Sequence, residues 1–132
     1  MKDCAEFGAG MPSGGAPVFL VVEQDSLIAD DIAGSLRSVC DCRVIHVRRP
    51  ADILPCLVHE TRLFAAILEM RVDQVLESGL DRMLSERGAA IILTVGEEDE
   101  DQARARGWGM LVRPFSEQMV RDVVCAVKQP QG

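Results

Sequence analysis

Leu63-Phe64-Ala65-Ala66-Ile67-Leu68 is an apolar run with no polar alternation, and Glu69 and Met70 follow it. A strand-length segment of that kind suits burial on both faces, as in the middle of a parallel sheet. In open parallel sheets the carboxyl ends of the strands line the crevice where ligands bind, so Glu69 is a site candidate by position alone.

The same arrangement recurs along the chain. Val18–Val22 reads as the first buried strand, ended by Glu23-Gln24-Asp25. Ser26 is the expected N-cap of a helix whose apolar face is Leu27, Ile28, Ile32, Leu36 and Val39. Val44–Val47 is a short second strand carrying His46, and Arg48-Arg49-Pro50 leads into a helix over 51–60 with Ile53, Leu54, Leu57 and Val58 on one apolar face. Pro50 and Pro55 limit where that helix can start, since a proline fits only in a first turn. After the central strand, Val72, Val75, Leu76, Gly79, Leu80, Met83 and Leu84 predict one continuous helix closed by Gly88. Ala89–Leu93 is the fourth strand and ends in Thr94, while the charged segment Gly96–Arg106 predicts a weakly packed helix. Met110–Val112 is the fifth strand, followed by Arg113-Pro114-Phe115 and a helix capped by Ser116 with Met119, Val120, Val123, Val124 and Val127 as its stripe.

Strand-helix alternation with short connections implies an α/β fold, a doubly wound parallel sheet with helices on both faces. The predicted organisation is a flexible leader over 1–17, rich in glycine, one domain over 18–128 and a tail over 129–132. Met11 is a second candidate start. With 21 acidic and 14 basic residues the net charge is -7, which opposes binding to a nucleic-acid backbone and leaves Arg48, Arg49, Arg104 and Arg106 as expected surface charge. No apolar segment approaches the ~20 residues of a membrane span. The five cysteines, Cys4, Cys40, Cys42, Cys56 and Cys125, read as reduced thiols of a cytoplasmic protein, and Cys40-Asp41-Cys42 lacks the second ligand pair that zinc requires. His46 and His59 have no partner at a useful spacing and read as structural or surface residues.

The expected sheet edge gathers Glu23, Gln24, Glu69, Thr94 and Arg113, and no phosphate-binding glycine loop follows the first strand. Val-Val-Glu-Gln-Asp after strand one, Ile-Leu-Glu at strand three, Ile-Ile-Leu-Thr at strand four and Val-Arg-Pro-Phe at strand five stand in this order. Together they resemble the receiver domain of bacterial two-component response regulators over about Val18 to Lys128, without an output domain. The resemblance implies the flavodoxin-like receiver fold with strand order 2-1-3-4-5, and phosphoryl transfer from a histidine kinase to an aspartate after strand three with Mg²⁺ bound. It also implies a cis Arg113-Pro114 peptide, and a dimer or partner surface made of the Gly96–Arg106 helix, the fifth strand and the last helix.

Residue by residue, Glu69 stands in the acceptor's place, Glu23 and Gln24 in the acidic pair's, Thr94 in the hydroxyl's and Arg113 in the lysine's. Glu69, Gln24 and Arg113 depart from the family's groups, and Glu23 is longer than the usual aspartate. The extra methylene of Glu69 carries its carboxylate roughly 1.5 Å further, toward where a phosphoryl group would sit. Arg113 offers a planar fork suited to that carboxylate, so a Glu69–Arg113 ion pair is expected, with Arg71 as a competitor. Gln24 removes a charge from the metal site, leaving Glu23 and Asp25 as weak Mg²⁺ candidates. Val95 narrows access, Met110 replaces the aromatic switch residue, and Trp108 is expected near the crevice.

Two functions follow from different classes. In one, the domain accepts no phosphate and signals through contacts with a kinase, phosphotransfer or output protein. In the other, it is an active Mg²⁺-dependent phosphoacceptor on Glu69 or Asp25. A doubly wound small-ligand protein of another kind is the remaining alternative.

Overall fold

A computed structural model describes residues 16–112 and 115–128 of the chain. The first part of the expected leader, the 129–132 tail, Arg113 and Pro114 lie outside the described residues, and with them the cis peptide and the Glu69–Arg113 ion pair.

The strands are β1 (Val18–Val22), β2 (Arg43–Val47), β3 (Ala65–Leu68), β4 (Ala90–Leu93) and β5 (Gly109–Met110). They form one parallel sheet in the order β2-β1-β3-β4-β5. The helices are α1 (Ser26–Val39), α2 (Ile53–Leu57), α3 (Val72–Ser78), α4 (Leu80–Glu86), α5 (Glu100–Ala105) and α6 (Glu117–Lys128), with 3-10 turns at Pro50–Asp52 and Glu97–Asp99. This is the doubly wound architecture that the strand-helix alternation implies. Pro17 is buried and its carbonyl accepts from Arg43 N–H at 2.9 Å, so cross-strand pairing begins just before β1.

Successive side chains of a strand point to opposite faces, and the core divides accordingly. Leu20, Val22, Ala66 and Leu68 face the layer built by Ile53, Leu57, Val72, Val75, Leu84 and Ala103. Phe19, Val21, Ala65, Ile67 and Ile92 face Ala29, Ile32, Leu36, Val120 and Val124 of α1 and α6. All four β3 residues are fully buried, as the unbroken apolar run requires. At roughly 1.5–3 kcal/mol for each large apolar side chain removed from water, this two-sided burial is the main stabilising term of the fold.

Several local expectations are corrected. The N-cap of α1 is Asp25, not Ser26: the Asp25 side chain accepts from Leu27 N–H at 2.9 Å, and Ser26 is already helical. The single helix expected after β3 is two, because Gly79 takes a left-handed conformation (φ 77°) that ends α3 and starts α4. The 51–60 helix shortens to a 3-10 turn and α2, and only half of its apolar face is used: Ile53 and Leu57 are buried while Leu54 and Val58 are exposed. Leu27 is likewise exposed. Cys40, Cys42 and Cys56 are free thiols, but Cys125 is disulfide-bonded, which overturns the expectation of five reduced thiols. Ser116 does cap α6, its hydroxyl accepting from Met119 N–H at 3.2 Å.

β5 packs so closely on α6 that a Cβ built at Gly109 would lie 2.7 Å from Val123 Cγ2 and 3.0 Å from Val127 Cγ1. Gly109→Ala is expected to lower stability by roughly 1–3 kcal/mol, the usual cost of overpacking. In urea denaturation this reads as a lower midpoint with an unchanged slope.

Candidate functional site

The carboxyl ends of β1, β2, β3 and β4 open onto one crevice. Glu69 leaves β3 with its N–H donating to Val22 O at 2.9 Å, which extends the β1–β3 pairing by one residue. Its side chain then turns toward β1, where Oε1 accepts from Gln24 N–H at 3.0 Å. The carboxylate thus ties the end of β3 to the loop after β1, with no charge needed on the Gln24 side chain.

Glu23 and Thr94 are the buried polar residues among those described, and each directly follows a strand. Burial of such groups is tolerated when their polar atoms are satisfied. Glu23 Oε2 accepts from Asp25 N–H at 3.1 Å, and the Glu23 carbonyl meets His46 Nε2 at 2.8 Å. His46 therefore braces β2 against the end of β1. Thr94 N–H donates to Leu68 O at 3.0 Å, and its hydroxyl also faces that carbonyl, at 3.5 Å. The Thr94 hydroxyl thus faces the β3 backbone, and Thr94 lines neither of the cavities described next.

A cavity of about 370 Å³ lies over the ends of β1, β2 and β3, lined by Gln24, Arg48, Arg49, Glu69, Arg71 and Val95 among others. A second, of about 450 Å³, runs from it along the start of α1 past Glu23, Asp25 and Ser26, and again meets Arg48 and Glu69. Arg48 thus borders both and is exposed, as expected of a surface charge; it and Arg49 follow the carboxyl end of β2, the position that marks Glu69 after β3. Arg49 Nε lies 3.6 Å from Asp52, whereas no ion pair of Arg48 occurs among the described residues.

Arg71 does not compete for Glu69. Its guanidinium bonds the carboxylates of Glu98 and, at 3.3 Å, Asp99, with Asp73 at 3.9 Å. The side chain reaches there because Gly96, at φ 82°, brings the loop after β4 close: a Cβ at that glycine would sit 3.2 Å from Arg71 Cγ. Gln74 Oε1 accepts from Arg71 N–H at 2.9 Å and holds the backbone from which this clasp springs. Trp108, expected near the crevice, instead precedes β5 at the amino edge of the sheet, with the Arg106 guanidinium 5.8 Å above its ring.

No protein-family model matches the chain, and no curated protein sequence does. Solved structures do. A response regulator receiver protein from Burkholderia phymatum is 24% identical, with 85% of this chain and 94% of that one covered at a TM-score of 0.63. The N-terminal signal receiver domain of a two-component response regulator from Bacteroides fragilis is 16% identical, covering 87% and 99% at a TM-score of 0.63. A structure described as adenylate cyclase from Rhodopirellula baltica is 15% identical, covering 86% and 88% at a TM-score of 0.67. The chain therefore has the receiver fold, in the strand order that the sequence motifs implied. Among the described residues no helix is long and apolar enough to cross a membrane.

Two outcomes are expected at this site. A hydrogen bond to a charged acceptor contributes about 1.5–3 kcal/mol when buried. At the half-exposed Glu69 a loss of roughly 1 kcal/mol on Glu69→Ala is the better figure. Glu69→Gln keeps an acceptor oxygen and should lose less, and hydrogen exchange of the Gln24 amide should accelerate in the alanine variant only.

The Glu98 carboxyl is held below the usual carboxylate range, first by its own backbone N–H and then by Arg71. A depressed carboxylate contributes fully above its unfolded pKa and is lost as pH falls through the folded one. The clasp should therefore persist through the ordinary glutamate range, near ~4.3, and open only below it. Carboxyl carbon shifts of Glu98 followed by NMR titration check this.

Proposed function

We propose that this chain is an atypical receiver in two-component signal transduction, acting as a phosphorylation-independent interaction module. The observation that carries the reading is the Glu69 carboxylate engaged by Gln24 N–H at the crevice mouth. In the receiver arrangement that region serves an incoming phosphoryl group, and here a protein carboxylate is hydrogen-bonded in it. Glu69 supplies one negative charge where a phosphorylated aspartate would supply nearly two, so it imitates the modified state only in part.

The donor set does not suit Mg²⁺. That ion favours carboxylates in near-octahedral geometry and gives up water reluctantly. Gln24 is neutral, Asp25 accepts from Leu27 N–H as the cap of α1, and Glu23 accepts from Asp25 N–H. The reading accordingly assigns no step to a metal and no catalytic residue.

The Glu69–Gln24 contact then serves to hold the crevice in one arrangement. The partner would be a kinase, phosphotransfer or output protein, or a second copy of the chain, meeting the surface of α5, β5 and α6. This choice of surface rests on the fold resemblance.

Incubation of the whole protein with acetyl phosphate and millimolar Mg²⁺, followed by intact-mass measurement, tests the proposal. The mass is expected to stay unchanged. A stable gain of one phosphoryl group mapped to Glu69 or Asp25 would make the domain an active phosphoacceptor instead.

A further inference from the structure

The carboxyl end of β2 brings Arg48 and Arg49 to the larger crevice, and neither takes part in the Glu69–Gln24 contact. Arg48 makes no hydrogen bond or ion pair among the described residues. Arg49 has a 3.6 Å approach to Asp52, longer than a hydrogen bond. Two side-chain amides line the same cavity. Gln24 meets Glu69 through its main chain, so its side chain is unspent; Gln74 gives its Oε1 to Arg71 N–H and keeps its NH2 group in hand among the described residues.

The charged residues lining this cavity are three arginines and one glutamate, a positive local balance in a chain whose net charge is -7. Arg71 is already answered by Glu98 and Asp99, and Glu69 has an oxygen on Gln24 N–H. What is left over is donor capacity without acceptors: two guanidinium forks and two amide groups.

We propose that this cavity is a non-covalent binding site for a small soluble phosphate monoester, held by Arg48 and Arg49. A guanidinium gives a phosphate two parallel hydrogen bonds, which a single-point cation does not. A monoester carries about two negative charges at neutral pH, which matches the two arginines left over. The cavity of about 370 Å³ falls in the range of small-molecule sites, roughly 300–1,000 Å³, so it holds more than a bare phosphate. Pro50, Met70 and Val95 line it too and offer apolar surface to the organic part. The adjoining cavity is lined by Glu23 and Asp25, whose charge turns the anionic end back toward Arg48. The negative net charge of the chain disfavours a long polyanion and leaves a small one. This goes beyond the interaction-module reading, since it gives the crevice a soluble input in which no bond is made or broken.

The isotope-labelled, full-length protein is titrated with adenosine monophosphate at constant ionic strength and neutral pH, and the Nε–H signals of Arg48 and Arg49 are followed by NMR. The nucleotide is expected to shift both, together with the Gln24 side-chain amide, along a saturable curve. Inorganic phosphate is expected to shift the same signals, and adenosine to leave them in place. Arg48→Ala should weaken nucleotide binding about tenfold or more, the scale of a lost charge-assisted hydrogen bond. Arg106→Ala, at the amino edge of the sheet, should leave it unchanged, and Glu69→Gln should tighten it by removing the one negative charge that lines the cavity. No saturable shift with the nucleotide, equal binding of adenosine or succinate, or an Arg48→Ala variant that binds as the wild type does, would each overturn the proposal. The comparison of nucleotide with adenosine on the wild-type protein decides this even where a variant fails to fold. Adenosine monophosphate has no activated phosphoryl group, so the result is independent of the acetyl phosphate experiment.

Discussion

A carboxylate emerging from a strand buried on both faces needs answering donors, and one of them in this molecule is a backbone amide. Glu69 follows four fully buried residues, and its oxygen meets Gln24 N–H across the gap between β3 and β1. Because the amide comes from the main chain, the contact requires the loop after β1 to follow one path. That path in turn places Asp25 to cap α1 and turns Glu23 inward, where its carboxylate accepts from Asp25 N–H while its main-chain carbonyl meets His46. The geometry at the head of α1 and the geometry of the crevice are thus one arrangement.

The polar residues after β1 are taken up by local contacts. Here Asp25 is engaged at a helix terminus and Gln24 contributes its main chain rather than its side chain. Each contact is local and modest, and together they turn the loop into a structural element. The solved structures of similar shape differ in more than three-quarters of aligned positions, so this sheet order tolerates wide change in sequence.

Features with a long apolar signature were legible in the sequence: β1 and β3, the faces of α1 and α6, and the gathering of Glu23, Gln24 and Glu69 at one edge. Others depended on single backbone conformations or on three-dimensional proximity. Gly79 fits a helical period and still interrupts it, because a residue without Cβ takes φ 77° at little cost. Asp25 outcompeted Ser26 as the cap, both being good capping types one residue apart. Leu54 and Val58 share the apolar spacing of Ile53 and Leu57, yet only the latter two reach the core. Arg71 was read against its neighbour in sequence, Glu69, while the loop after β4 supplied nearer acids.

The clasp between Arg71 and the acids Glu98 and Asp99 joins the loop after β3 to the loop after β4 through charged hydrogen bonds in partly solvated surroundings. Attraction of this kind weakens as dissolved ions shorten the range of the field, to a Debye length of about 8 Å at physiological ionic strength and about 3 Å at 1 M. Added salt is therefore expected to loosen this tie between the two loops at the crevice mouth.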